Sequence, residues 1–161
     1  MVTRQEILKK IFKLVYDRLI KHNESLKHYL ENWHGSYGGI EGWLKVEFVA
    51  AISPDIIKVK TGSAARGKLT DKKYPDLILE NEAIDPIEVE LKASTNWHVP
   101  LKNYDSRVLF FLCGTQADSL QLRRREIQQF KKHFDIAIVT SGISSYNSKE
   151  IDFLFGFVDL D

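Results

Sequence analysis

The chain has 161 residues, 43% of them hydrophobic and 28% charged, with 23 Lys and Arg against 22 Asp and Glu for a formal net charge of +1. That is the length of one domain, residues 1–161, and the composition of an ordinary soluble globular protein, with no apolar run long enough to span a bilayer. A lone Cys113 excludes an internal disulfide framework, and the opening Met1–Glu6 lacks the apolar core of a signal peptide, so the expectation is a cytoplasmic protein with no membrane partner.

From Thr3 the apolar positions Ile7, Leu8, Ile11, Phe12, Val15 and Leu19 recur at helical spacing, and Thr3 with Glu6 forms a capping-box pattern. His22-Asn23 interrupts this helix, and a shorter one carrying Leu26, Tyr29, Leu30 and Trp33 follows. Residues 1–34 therefore read as an N-terminal helical arm, packed on the domain or extending from it, and a candidate interface for a homodimer. His34 to Gly39 is a break, and a helix from Ile40 to Ile52 is stopped by Ser53-Pro54.

Then the period changes. Ile56–Lys60, Pro75–Glu80 and Ile87–Lys92 are short runs rich in β-branched residues that read as strands, with a basic loop, Thr61 to Tyr74, between the first two. Arg107–Cys113 is a continuous apolar run suited to a buried central strand. Ala117 to His133 reads as a helix, Asp135–Thr140 as another buried strand, and Phe153–Val158 as a last strand at the sheet edge. The expectation is an α/β domain with a mixed central sheet flanked by helices.

Charge is local rather than global. Lys58, Lys60, Arg66, Lys68, Lys72 and Lys73 stand against the single acid Asp71, and Arg123-Arg124-Arg125 is followed by Lys131 and Lys132. Such patches can track phosphates, although each taken alone reads more readily as a solvated face.

Four features converge on one candidate site. In Ile87–Lys92, strand alternation puts Glu88, Glu90 and Lys92 on one face and Val89 and Leu91 on the other. Pro75-Asp76 heads the preceding strand. If the two strands turn near Ala83, counting outward pairs Ile78 with Glu88 and Asp76 with Glu90, with Cβ atoms roughly 4.5–5.5 Å apart; a register shift that keeps faces matched would set Asp76 opposite Glu88 or Lys92 and still leave its carboxylate near this group. Carboxylates that close need a cation or a raised pKa. Third, Glu47 interrupts the apolar stripe Ile40, Trp43, Leu44, Phe48 and Ala51, and should face a cation, either Lys92 or a metal. Fourth, the basic loop leads into Asp76. Oxygen ligands without a cysteine or histidine cluster suit Mg²⁺ or Mn²⁺ rather than zinc.

Pro75-Asp76 followed by Glu90-Leu91-Lys92 on the next strand, with Glu47 on an upstream helix, resembles the PD-(D/E)xK nuclease superfamily of restriction endonucleases, junction resolvases and repair nucleases. The resemblance implies an αβββαβ core from about Ile40 to Thr140, into which a strand near Arg107 must fit as an extra. It implies a Mg²⁺-dependent endonuclease hydrolysing phosphodiester bonds of nucleic acid, DNA being expected. Asp76 and Glu90 would be metal ligands, Lys92 the water-positioning base, and Glu47 a further catalytic or metal-ligating acid. Lys58, Lys60, Ser63, Arg66, Lys68, Lys72 and Lys73 would hold the nucleic acid; Gly62-Ser63 resembles the glycine–serine loop of the resolvases. The competing expectations are a catalytically inactive nuclease-fold module that binds nucleic acid or protein, and an unrelated α/β protein whose acids and lysine pair on the surface.

Other chemistry-bearing residues read as structural. His22, His28, His34, His98 and His133 have no zinc-like spacing. Cys113 reads as a small core hydrophobe. Trp97, His98 and Tyr104 stay open between base stacking and loop anchoring.

Overall fold

A computed structural model of the chain describes residues 1–32, 38–61, 74–102, 107–144 and 149–161. Its elements in chain order are helices α1 (Arg4–Lys21), α2 (Asn23–Asn32) and α3 (Gly38–Ala51), strands β1 (Lys58–Thr61), β2 (Leu77–Asn81), β3 (Ile84–Ser94) and β4 (Val108–Gln116), helix α4 (Leu120–Phe130), and strands β5 (Phe134–Ser144) and β6 (Glu150–Asp159). The six strands form one mixed sheet in the order β1-β2-β3-β4-β6-β5. β1, β2 and β3 are an antiparallel meander, β4 lies parallel to β3, and β6 is antiparallel to both its neighbours. No helix among the described residues is long and apolar enough to cross a membrane.

Local sequence accounts for the first helix. The Thr3 hydroxyl accepts the Glu6 N–H at 3.2 Å, and the Glu6 carboxylate accepts the Thr3 N–H at 2.7 Å, so two otherwise orphaned donors are satisfied. The stripe Ile7, Leu8, Ile11, Phe12, Val15 and Leu19 is buried. It packs with Ile40, Leu44 and Phe48 of α3 on one sheet face, against Val89, Leu91, Phe110, Phe153 and Phe155. The opposite face of β4 and β6 carries a second core, in which Leu109, Phe111, Cys113, Leu154 and Val158 meet Ile127 of α4. The arm thus packs on the sheet.

Two sequence expectations about strand position change. Phe153–Val158 is not at the edge: β6 lies between β4 and β5 and is buried almost throughout, whereas β5, expected to be buried, is the outer strand. The reason is visible in the side chains. Phe153, Phe155 and Phe157 feed one core while Leu154 and Val158 feed the other, the two-sided apolar character of a central strand. The β5 edge is closed by side chains: Arg124 donates to the Ile136 carbonyl, Tyr16 to that of Ile138 and Asn23 to that of Val139. Register irregularities on either side of Thr140 also break the ladder, and both devices discourage strand addition there. Arg107–Cys113, by contrast, is central as expected, since β4 sits between β3 and β6.

The connection from β3 to β4 also differs from an αβββαβ order. The strand parallel to β3 is Val108–Gln116, and no helix lies among the described residues between the two; α4 follows β4 instead. Along residues 95–102 the Ser94 hydroxyl accepts the Asn96 N–H, an early turn that competes with helix. Trp97, Val99 and Leu101 then anchor the segment on the second core. Trp97 packs edge-on to Phe111 and donates to Glu126 of α4 at 3.0 Å, with the Arg123 guanidinium over its ring. That favours loop anchoring over base stacking.

Candidate functional site

The β2–β3 hairpin has the register counted from the sequence: Ile78 pairs with Glu88 and Leu77 with Val89, so Asp76 lies one step beyond, level with Glu90. An Asp76 carboxylate oxygen accepts the Leu91 N–H at 2.8 Å, tying the start of β2 to β3 beside Glu90. Glu90 is only 8% exposed. Its Oε1 lies 3.2 Å from Lys92 Nζ and its Oε2 accepts from Arg107 Nη1 at 3.2 Å. Arg107 Nε also donates to Glu88 Oε2 at 3.3 Å.

These contacts set the electrostatics. Burial pushes the Glu90 carboxyl above the ordinary glutamate value, and the neighbouring Asp76 charge pushes the same way. Lys92 and Arg107 pull it back without cancelling the rise. Among the described residues, the acids Asp76, Glu88 and Glu90 stand beside the cations Lys92 and Arg107.

The structure therefore brings Asp76, Glu90 and Lys92 together, and it sets Glu47 elsewhere. Glu47 Oε2 accepts from Arg18 Nε at 2.6 Å and lies 2.8 Å from His22 Nδ1, so the cation facing this buried acid is the end of α1. Its helix, α3, packs on the face of Val89 and Leu91, with Phe48 edge-on to Phe110, whereas alternation directs Glu90 and Lys92 to the other face.

Lys58 and Lys60 do share the face of the acid pair. In adjacent strands Lys60 stands level with Ile78 and Glu88, and Lys58 level with Glu80; Lys60 Nζ is 2.8 Å from Glu80. Ser63, Arg66, Lys68, Lys72 and Lys73 lie outside the described residues, as do Trp33, His34 and Tyr104. The second basic run is largely engaged within the fold. Arg123 binds Thr115 and Glu126, Arg124 binds the Ile136 carbonyl, and Lys131 reaches the Leu160 carbonyl.

Arg107 is the residue that sequence reading overlooked. It is 5% exposed, and it supplies cationic charge that a metal was expected to bring. A signal existed: an arginine immediately before an eight-residue buried run, Val108–Thr115, must itself be buried or paired. Arg18 and His22, at helical spacing near the end of α1, were likewise not connected to Glu47. Cys113 behaves as read, with burial pushing its thiol up to about 11.

Among the described residues no three His, Cys, Asp or Glu side chains gather as a metal cluster. Two carboxylates, Asp76 and Glu90, match the number that Mg²⁺ ordinarily takes from a protein while keeping several waters, and both Glu90 oxygens are also engaged by Lys92 and Arg107. A hard cation would relieve the repulsion between the buried Glu90 and the half-buried Asp76. Oxygen donors alone suit Mg²⁺ or Mn²⁺ better than zinc, which favours histidine and cysteine. No protein-family model, no curated protein sequence and no solved structure matches the chain.

Proposed function

We propose that this chain is a metal-dependent nuclease of the PD-(D/E)xK type, hydrolysing phosphodiester bonds of nucleic acid, with DNA the expected substrate. The observation that carries the proposal is the Asp76 bond to the Leu91 N–H, because it holds one motif acid against the other on the predicted pair of strands. Asp76 and Glu90 are the groups that would hold Mg²⁺ or Mn²⁺, and such an ion would supply Lewis-acid stabilisation of phosphoryl charge and acidify a water. Lys92, fixed beside Glu90 and a third exposed, offers ammonium hydrogens to an attacking water or a phosphate oxygen. Lys58 and Lys60 extend the same face toward a phosphate backbone. Glu47 is left out of the reaction and fastens α1 to α3.

The α3 helix, the three-strand meander with the motif on β2 and β3, and a fourth strand parallel to β3 support a restriction-endonuclease-like core. The link from β3 to β4, with no helix among its described residues, departs from that pattern. The test is a cleavage panel of duplex, junction and single-stranded DNA with Mg²⁺ or Mn²⁺. Asp76→Ala and Lys92→Ala should each abolish cleavage while circular dichroism shows an intact fold. Undiminished metal-dependent cleavage by both variants would remove the assignment.

One observation favours a second reading, a nuclease-fold module that binds nucleic acid or protein without catalysis. Both carboxylate oxygens of Glu90 are already engaged, by Lys92 and by Arg107. Its signature would be salt-sensitive DNA binding with no turnover in either metal.

A further inference from the structure

We propose that Arg107 is a positioning residue of this site, holding the Glu90 carboxylate through one guanidinium edge while Glu88 holds the guanidinium in place. The inference rests on the nuclease reading above and adds to it a residue outside the motif. Val89 pairs with Val108 in the parallel β3–β4 ladder, so Arg107 enters the sheet one step earlier, on the face from which Glu88 and Glu90 project. Its backbone is fixed as well, since the Arg107 carbonyl accepts the Leu160 N–H at 2.9 Å.

The geometry suits arginine specifically. Glu88 and Glu90 lie two residues apart on one strand, roughly 6.5–7 Å along its axis. Nε reaches Glu88 at 3.3 Å and Nη1 reaches Glu90 at 3.2 Å, so one planar group spans both acids. A lysine ammonium is a point charge and cannot present that fork. The bond takes Glu90 Oε2 and leaves Oε1 on the side of Lys92. With a side chain only 6% exposed, Arg107 is too deep to bind substrate itself and acts through Glu90. Partners that orient ligating carboxylates typically contribute about 10- to 100-fold to metal affinity or activity.

The experiment compares the wild-type chain with Arg107→Lys, using Mn²⁺-supported cleavage of a fluorescent DNA duplex and Mn²⁺ titration by calorimetry. Arg107→Lys, which keeps the charge and loses the fork, should lower kcat by about 10- to 100-fold with little change in KM, and should weaken Mn²⁺ binding by about tenfold or more. Should Arg107→Lys fail to fold, the double variant Glu88→Gln/Arg107→Met, which leaves one acid fewer unpaired, should show the same loss of kcat. A folded variant with wild-type kcat and wild-type Mn²⁺ affinity overturns the role of Arg107 alone. A wild-type chain that binds Mn²⁺ without cleaving overturns the nuclease reading, and the Mn²⁺ affinity of Arg107→Lys still decides the positioning. A wild-type chain that does neither removes the site and Arg107's role with it.

Discussion

Replacing Glu47 with glutamine separates a structural acid from a catalytic one. Two donors converge on a single carboxylate oxygen, Arg18 Nε at 2.6 Å and His22 Nδ1 at 2.8 Å. Glutamine keeps the volume and one carbonyl acceptor but removes the charge. Hydrogen bonds to charged groups contribute about 1.5–3 kcal/mol each. Arg18 and His22 are 34% and 35% exposed, so water recovers part of the loss. The expected cost is about 1–2 kcal/mol. For a chain of this length each kcal/mol lowers Tm by roughly 2–4 °C, which gives a fall of about 2–8 °C. Thermal melts followed by circular dichroism measure it, and cleavage below the transition measures the rest. Glu47→Gln should melt earlier and cleave at the wild-type rate. Unchanged Tm with lost cleavage would refute the reasoning and return Glu47 to the active site.

Two further outcomes follow from the same contacts. Glu90 binds its proton more tightly folded than unfolded, so its contribution favours the fold at acid pH and is lost as pH rises from the ordinary value of 4.5 through the raised folded one. Relative to Glu90→Gln, wild-type Tm should therefore decline as pH rises over that window; parallel Tm–pH curves would contradict the assigned environment. Gly156→Ala should cost about 3 kcal/mol in denaturant melts, since the added Cβ would sit 2.6 Å from the Asp135 carbonyl oxygen and 2.5 Å from the Phe111 ring in a central strand. A loss under about 1 kcal/mol would mean that the strands can part there.

The elements most legible in the sequence are those fixed by local rules. The capping box at Thr3 and the stripe of α1 follow from neighbours in the chain, and counting outward from Ala83 gives the Ile78–Glu88 pairing, which the ladder reaches across a register irregularity between Leu79 and Asn81. What local rules cannot supply is which strand lies beside which. β6 and β5 exchanged expected positions because an apolar run alone does not say whether a strand has one neighbour or two. The deciding feature was that Phe153, Phe155 and Phe157 alternate with Leu154 and Val158, with Gly156 admitting the Phe111 ring.

The same limit governs the site. Asp76, Glu90 and Lys92 lie on adjacent strands of one hairpin, and counting suffices to bring them together. Glu47 and its partners lie on two helices, and Arg107 arrives by a parallel crossover; in both cases the pairing depends on packing rather than on count. The physical demand was nonetheless readable before the answer was. A glutamate inside an apolar stripe and an acid pair on a buried face each require a cation. Arg18 meets the first demand wholly from within the chain. Lys92 and Arg107 meet the second only in part, since burial and Asp76 still hold Glu90 above its ordinary pKa. On the proposed nuclease reading, a divalent cation held by Asp76 and Glu90 would meet what remains of that demand.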